Sequence, residues 1–178
     1  MKQGTISVLL GCHSPIHSLI VIMAWRKLYG HFPNWWQFIC ILIHDIGHWG
    51  KDYLDDYEQK KQHGELGSKI AHFLFGKKGY ELVVGHNPYN GAPRSLLHDP
   101  DKYSWVIAPT FWMVSNTWFE PKLQRKGSTR LESALMFKKA MKENMETGFK
   151  TLGHEIYLTQ WGQANKNQTH SIQEKKGK

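Results

Sequence analysis

The chain has 178 residues, 40% hydrophobic and 21% charged, which predicts one soluble globular domain with a sizeable core. No apolar run approaches the roughly 20 residues of a membrane-spanning helix, so a membrane protein is not expected. The net charge is +8, of which residues 120–150 contribute +4, residues 151–178 contribute +2 and the first 119 residues contribute +2. This C-terminal excess favours an anionic substrate or nucleic acid, or is simply a solvated basic helix and tail.

The two cysteines, Cys12 and Cys40, form neither a CxxC pair nor a zinc-finger spacing. Cys40 lies within an apolar run, which favours a buried thiol in a reducing compartment. Residues 8–12 have the composition of a lipoprotein cleavage box, but the apolar stretch before them is too short for a secretory signal. We therefore expect a cytoplasmic protein that does not associate with membranes.

Apolar periodicity and capping residues predict an all-α protein, with no competing strand pattern. Ser14-Pro15 is a typical helix start, Gly30 a typical end, and Ser128 or Thr129 a typical cap. The predicted helices cover about residues 14–29, 33–48, 64–75, 80–84, 96–105 with a possible kink at Pro100, 110–120, 129–147 and 153–163. Residues 1–163 should form one domain. Residues 164–178 are rich in Gln, Asn and Lys and should form a disordered basic tail.

The predicted packing faces follow the large apolar residues. The run Trp35–Ile43 is apolar on every side, which predicts a helix that is buried all round. In the third helix we expect the core face to carry Leu66, Ile70, Phe73 and Leu74. In the long helix after Thr129 we expect the inward residues to be Leu131, Ala134, Leu135, Met141 and Met145.

An imidazole, a carboxylate and a second imidazole close the apolar run, as His44, Asp45 and His48. If the helix continues, His44 and His48 share a face because they are four residues apart. Ionisable groups in an apolar interior are costly unless they are paired or bind a metal. A metal ion is the first candidate for that compensation.

Further histidines and a carboxylate stand at or near the ends of the other predicted helices. The complete candidate ligand set is His17, His44, Asp45, His63, His86 and Asp101. Imidazole with carboxylate suits Fe, Mn, Co or Zn better than Mg or Ca. Two histidines and two carboxylates would hold one ion. The two other histidines would hold a second, with Asp45 bridging.

In these residues and their order the chain resembles the HD-domain superfamily, named for its His-Asp pair. The matching segments are His17-Ser18, His44-Asp45-Ile46-Gly47-His48, His63-Gly64-Glu65-Leu66-Gly67, His86 and Asp101-Lys102-Tyr103-Ser104, within residues 13–105. The resemblance implies a compact helical bundle, with His17, His44, Asp45 and Asp101 as ligands of one metal. It implies that His63 and His86 complete a dinuclear site and that His48 touches the substrate. His86 stands alone, whereas the members that cleave cyclic dinucleotides carry paired histidines.

Some positions have rivals nearby. His13 competes with His17, which is favoured because it falls inside the helix, and Asp99 competes with Asp101 but reads as a turn or cap residue. His48 could instead cap the C-terminus of its helix. His63 could be a helix-start residue and His86 a hydrogen-bonding loop residue.

The leading functional interpretation is a metal-dependent phosphohydrolase that uses a metal-activated hydroxide on a nucleotide, dinucleotide or related phosphoester. In it Asp45 orients the hydroxide, and His48 donates a proton or binds a phosphate oxygen. Lys51, Arg94 and Lys102 are the cations expected to hold phosphate. One alternative is an HD-type mixed-valent diiron oxygenase. Another is a basic nucleic-acid-binding module within residues 120–178, which is not favoured. The oligomeric state is not predicted.

Overall fold

A computed structural model describes residues 1–51, 62–87 and 91–148, and these residues contain helices and no strand. The predicted all-α class is confirmed. The expected helix at 153–163 and the tail at 164–178 lie outside the described residues, as does most of the acidic segment between residues 51 and 62. None of the described helices is both long and apolar enough to cross a membrane.

Eight α-helices and two short 3-10 turns make up the described part of the chain. The helices are α1 (Gln3–Leu9), α2 (Pro15–Tyr29), α3 (Trp35–Ile43), α4 (His63–Phe75), α5 (Lys77–Val84), α6 (His98–Ile107), α7 (Thr110–Phe119) and α8 (Arg130–Glu146). The 3-10 turns are Ile46–His48 and Pro121–Leu123. Helix α1 was not predicted, because seven residues give too short a periodic pattern.

Local chemistry explains several boundaries. Helix α2 begins with Pro15 at its first position, and Gly30 ends it in the left-handed conformation at φ 77°. The long helix α8 begins with a capping box in which Thr129 and Glu132 bond each other's backbone N–H. The expected kink at Pro100 is wrong, because Pro100 lies in the first turn of α6, where its missing N–H has no helical partner to lose.

The prediction that the second helix continues to His48 is also wrong. Helix α3 ends at Ile43, His44 follows it, and the chain then makes the 3-10 turn. Gly47 explains the change of direction: a Cβ atom there would lie 1.7 Å from the carbonyl oxygen of His63. The turn is thus pressed against the start of α4, and His44 and His48 do not share one helical face.

Small residues, rather than large apolar ones, form the buried face of α4. Leu66, Phe73 and Leu74 are exposed, contrary to prediction, and the buried residues are Gly64, Gly67, Ser68 and Ala71. A Cβ at Gly67 would lie 2.6 Å from the carbonyl oxygen of Ile43, so α4 approaches the end of α3 backbone to backbone. This close approach brings His63 to His44 and Asp45.

Other predicted faces were also too broad. Helix α3 is not buried all round, since its core contacts come from Cys40 and Ile41 while one side is open. In α8, Ala134 and Met141 are buried as expected. The large apolar residues that are exposed against expectation in these two helices are Trp35, Phe38, Leu42, Leu131 and Leu135.

The described residues form three apolar clusters, and the two larger ones include or contact residues of α2. One joins α2, α3, α4 and α5 through residues that include Val21, Trp25 and Ile41. The other joins α7 and α8 through Trp112 and Ala134, with Trp105 of α6 packed against it. Helix α6 packs against both α2 and α8. The polar end of α2, with His17, therefore faces α6 and the turn that follows α3.

Candidate metal centre

All six predicted ligand side chains converge in one place. Helix α2 supplies His17, the turn after α3 supplies His44 and Asp45, and the start of α4 supplies His63. The other two, His86 and Asp101, come from the residues after α5 and the first turn of α6. Five of the six residues are buried, and the side chain of His63 is 12% exposed.

His17, His44 and Asp101 form what we call the inner cluster, on one side of Asp45. His17 Nε2 lies 3.0 Å from Asp101 Oδ1 and 3.4 Å from Asp45 Oδ2. His44 Nε2 lies 3.1 Å from Asp45 Oδ2 and 3.7 Å from Asp101 Oδ1. One ligand atom from each member of the inner cluster falls within 4.8 Å of the others, as a shared ion requires.

His63 and His86 form the outer cluster, on the other side of Asp45. Their Nε2 atoms are 3.0 Å apart, and they lie 3.6 and 3.7 Å from Asp45 Oδ1. The two oxygens of Asp45 therefore face different clusters, Oδ2 the inner one and Oδ1 the outer one. This is the arrangement expected of a bridging carboxylate.

Backbone hydrogen bonds orient two of the rings for metal binding. His44 Nδ1–H donates to the carbonyl oxygen of Ile41 at 2.6 Å, and His86 Nδ1–H donates to that of Val83 at 2.5 Å. Each bond puts the proton on Nδ1 and leaves the Nε2 lone pair directed inward, as in metal-ligating histidines. Buried His44 Nε2 has no hydrogen-bond partner among the described residues, so a cation would satisfy it.

The electrostatics of the inner cluster favour positive charge. Burial alone would lower the pKa of His44, but neighbouring Asp45 and Asp101 outweigh it and raise the pKa to about 10. Burial would likewise raise the pKa of Asp45, but the adjacent imidazoles, His44 foremost, hold it well below its ordinary value. The pKa of Asp101 is also lowered, chiefly by Lys102 and His17 against the effect of burial. Two ionised carboxylates thus attract a cation or protons.

His48 lies next to the outer cluster. Its ring stacks on His63 at a centroid distance of 4.7 Å and on His13 at 3.8 Å, and the residue is 2% exposed. His13, the rival of His17, also offers a ligand atom within 4.8 Å of ligand atoms of Asp45 and His48. His17 Nε2 lies close to both carboxylates, Asp45 and Asp101.

The three predicted phosphate-binding cations have different surroundings. Lys102 Nζ lies 2.7 Å from Asp101 Oδ2, at the edge of the inner cluster. Lys51 is exposed and lines an open cavity with Gly47 and Trp49, on the outer side of the turn that carries His48. Arg94 is exposed, and its Nη1 donates to the carbonyl oxygen of Gly148 at the end of α8.

Asn87 is a site residue that sequence reasoning missed. Its Nδ2 lies 3.0 Å from His63 Nδ1, and its buried Oδ1 has no hydrogen-bond partner among the described residues. If the amide is turned by 180°, Asn87 Oδ1 accepts a hydrogen bond from His63 Nδ1–H. The lone pair on His63 Nε2 then becomes available to an ion. The signal in the sequence was only its position beside His86.

The walls of the centre are aromatic. Trp105 stacks on His17 at a centroid distance of 4.9 Å, and Trp112 lies parallel to the same ring at 6.5 Å. Indole rings here exclude water from one side of the inner cluster, which strengthens its electrostatic interactions. The Trp-rich helix α7 thus contributes core packing that reaches the site.

No family model matches this chain, and comparison with curated proteins and with solved structures gives no significant match. The likeness to the HD-domain superfamily is therefore carried by the motif residues and their order alone. In the described residues, these side chains meet in buried groups of histidine and aspartate that could hold metal ions, which is a property of the site and does not identify a family.

Proposed function

We propose that the chain is a metal-dependent phosphohydrolase that acts on a nucleotide, dinucleotide or related small phosphoester. The observation that supports this most is the position of Asp45, whose two oxygens face two groups of imidazoles. Such a carboxylate holds two cations close together, and paired cations suit the transfer of a phosphoryl group.

The ligand types support Fe, Mn, Co or Zn as the bound ions. The inner cluster offers two imidazoles with carboxylate oxygens from Asp45 and Asp101, and the outer cluster offers two imidazoles with one oxygen of Asp45. Borderline metals prefer this mixture of nitrogen and oxygen, whereas Mg and Ca prefer oxygen alone. When bound, such ions would acidify water and offset the negative charge of a phosphoryl group.

In this proposal the protein's own groups position the reactants. Asp45 orients the attacking oxygen between the clusters. His48, stacked on His63, lies beside the outer cluster, where it would donate a proton to the leaving oxygen. Lys102, held on Asp101 at 2.7 Å, adds positive charge at the opposite edge, and Lys51 would attract the phosphate from the cavity.

The decisive experiment compares two carboxylate substitutions in protein loaded with Mn or Fe. Asp45→Asn should reduce turnover on a panel of nucleotides and phosphodiesters by about 10²–10³-fold or more, because the bridging charge is lost. Asp99→Asn is the matched control, since this carboxylate is half exposed and contacts His98 outside both clusters. Metal-loaded wild-type protein that hydrolyses no member of the panel, releasing neither phosphate from the monoesters nor a phosphomonoester from the diesters, would refute the hydrolase proposal.

The diiron oxygenase alternative uses the same ligand types, so the same preparations should be tested for oxygen consumption and a mixed-valent iron signal. Phosphoester hydrolysis without oxygen uptake supports the hydrolase. Nucleic-acid binding through residues 120–178 is distinguished by steep salt dependence and by survival of binding in Asp45→Asn.

A further inference from the structure

A second group of metal-binding side chains lies on the far side of His48 from the outer cluster. Cys12 and His13 come from the loop between α1 and α2, and Glu120 is the residue after α7. One potential ligand atom from each lies within 4.8 Å of the other two. Cys12 is 5% exposed and Glu120 is completely buried, which is unusual for a carboxylate.

Two distances within this group, which are also hydrogen-bonding distances, are close to those between ligands of one metal ion. Cys12 Sγ lies 3.2 Å from His13 Nδ1 and 3.3 Å from Glu120 Oε2. In a tetrahedral zinc site, Zn–S of about 2.3 Å and Zn–N of about 2.0–2.1 Å put neighbouring ligand atoms roughly 3.5 Å apart. The sulfur would therefore have to move only a few tenths of an ångström from each of these two neighbours to share an ion with them.

Charge balance also favours a divalent ion. The Cys12 thiol donates to Glu120 Oε2 at 3.3 Å, and loss of the thiol proton would place a second anion beside this carboxylate in a buried position, where it needs a counter-charge. With a neutral imidazole, the thiolate and the carboxylate would together match the charge of Zn²⁺. Binding would release the thiol proton to solvent, as is general for cysteine ligands.

The surrounding backbone holds the three side chains in place. Cys12 N–H donates to Glu120 Oε1 at 2.6 Å, which leaves Oε2 directed at the sulfur. Gly11 allows this close approach, because a Cβ there would lie 2.0 Å from Glu120 Oε1. His13 N–H donates to the carbonyl oxygen of Ser7 at 3.2 Å, so α1 fixes the loop from the other side.

Ser7 provides the group that must move when an ion enters. Its Oγ lies 2.6 Å from His13 Nδ1 and 3.4 Å from Cys12 Sγ. On metal binding the hydroxyl would turn its proton to the thiolate sulfur, a better acceptor than the thiol, and release the Nδ1 lone pair to the ion. Water or Ser7 Oγ would complete the tetrahedron.

We propose that Cys12, His13 and Glu120 form a separate zinc site that joins the α1–α2 loop to the end of α7. Its thiolate ligand selects a softer ion than the oxygen-rich inner cluster does. His48 stacks on His13 of this site and on His63 of the outer cluster, so zinc would also fix one of the two rings against which His48 packs. The role is structural and does not require that the chain be a phosphohydrolase.

Cobalt substitution tests the site without any activity assay. The full chain is stripped of metal, titrated with Co²⁺ and monitored for the near-ultraviolet thiolate-to-cobalt charge-transfer absorption. We expect this band in the wild type and its loss, with one fewer metal equivalent per chain, in Cys12→Ser. Cys40→Ala is the matched control, because Cys40 is the fully buried core thiol, and it should keep the band.

Two further variants separate this proposal from the phosphohydrolase proposal and from misfolding. Asp45→Asn should lose metal at the centre but keep the charge-transfer band. Glu120→Gln retains the thiol and an acceptor for Cys12 N–H but removes a charge, so the band should require at least about tenfold more cobalt. Wild-type protein that binds cobalt without the band, a band that survives Cys12→Ser, or unchanged cobalt affinity in Glu120→Gln would each overturn the zinc site.

Discussion

The inner and outer clusters share Asp45 but differ in charge and enclosure. The inner cluster has two histidines, a second carboxylate in Asp101, and an indole wall formed by Trp105. The outer cluster has two histidines and no carboxylate of its own within the described residues, and His63 is partly exposed. In the proposed metal centre, this difference predicts a tightly held inner ion and a more exchangeable outer ion, on the side where His63 is partly exposed.

Removing one histidine from each cluster is the strongest test of this comparison. His17→Ala should abolish binding of the inner ion. Because Asp45 is then no longer held in place by that ion, the outer ion should also bind more weakly, and turnover should fall about 10²–10³-fold. His86→Ala should remove one equivalent and leave the other. Metal analysis after gel filtration measures both. Equal loss from the two variants would contradict the proposed difference between the clusters.

The two buried glycines of α4, Gly64 and Gly67, allow the outer cluster to be perturbed separately from the packing of the helix. Gly67→Ala would place a methyl group against the backbone carbonyl oxygens of Ile43 and His44, and should lower the free energy of unfolding by about 1–3 kcal/mol. Gly64→Ala meets only the His86 ring, at 3.3 Å, so it should cost less stability but selectively weaken the outer ion. Urea unfolding and metal titration measure the two effects. If Gly64→Ala is the more destabilising change, the backbone contact at Gly67 is not what holds α4.

Asn87 tests how the outer cluster is oriented. Asn87→Ala should weaken the outer ion about 10–100-fold because His63 loses the partner that fixes its ring. Asn87→Asp should retain affinity, since a carboxylate can only accept from His63 Nδ1–H. The inner ion should be unaffected in both variants, as measured by competition with a metal indicator. Equal weakening by Ala and Asp would mean that the amide nitrogen, rather than an oxygen, is required.

The smallest expected effect concerns His98, which starts the helix that carries Asp101. Burial, assisted by Lys102, lowers the pKa of His98 below 6.5. The neutral ring therefore contributes stability above pH 6.5 that is lost as pH falls through the folded-state pKa. Between pH 7 and 5, the Tm of His98→Gln should fall less steeply than that of the wild type. The corresponding difference in the free energy of unfolding is at most about 1.4 kcal/mol per unit of difference between the folded-state and unfolded-state pKa. Parallel Tm curves would contradict this assignment.

The convergence of the six candidate ligands could be predicted from the sequence, but the packing that assembles them could not. His17, Asp101 and the candidate ligands between them in the sequence could be identified because all are ionisable groups at or near the ends of predicted helices. A shared metal site accounts for all of these positions at once. The packing of α4 was mispredicted because its buried face is made of glycine, serine and alanine, which carry no hydrophobic signal. The large apolar residues on its other side gave a misleading pattern.

Backbone proximity also explains the other errors. The end of α3 at Ile43 is set by the contact between Gly47 and His63, which are far apart in the sequence, and no local propensity reveals it. Asn87 and Glu120 gain their importance from contacts with residues distant in the sequence, His63 and Cys12 respectively, that only the folded chain creates. The chemistry of the side chains could be predicted from the sequence, whereas the distances between segments of the chain could not.

The inner contact between His17 and Asp101 joins residues 84 positions apart. An ion bound by these two residues would act as a reversible crosslink. It would close a long stretch of chain, whose ends are otherwise brought together at an entropic cost. A fragment that lacks either His17 or Asp101 could not form the complete set of ligands. Capture of the ion would therefore coincide with completion of the fold, and metal supply would govern how much of this protein persists in its native state.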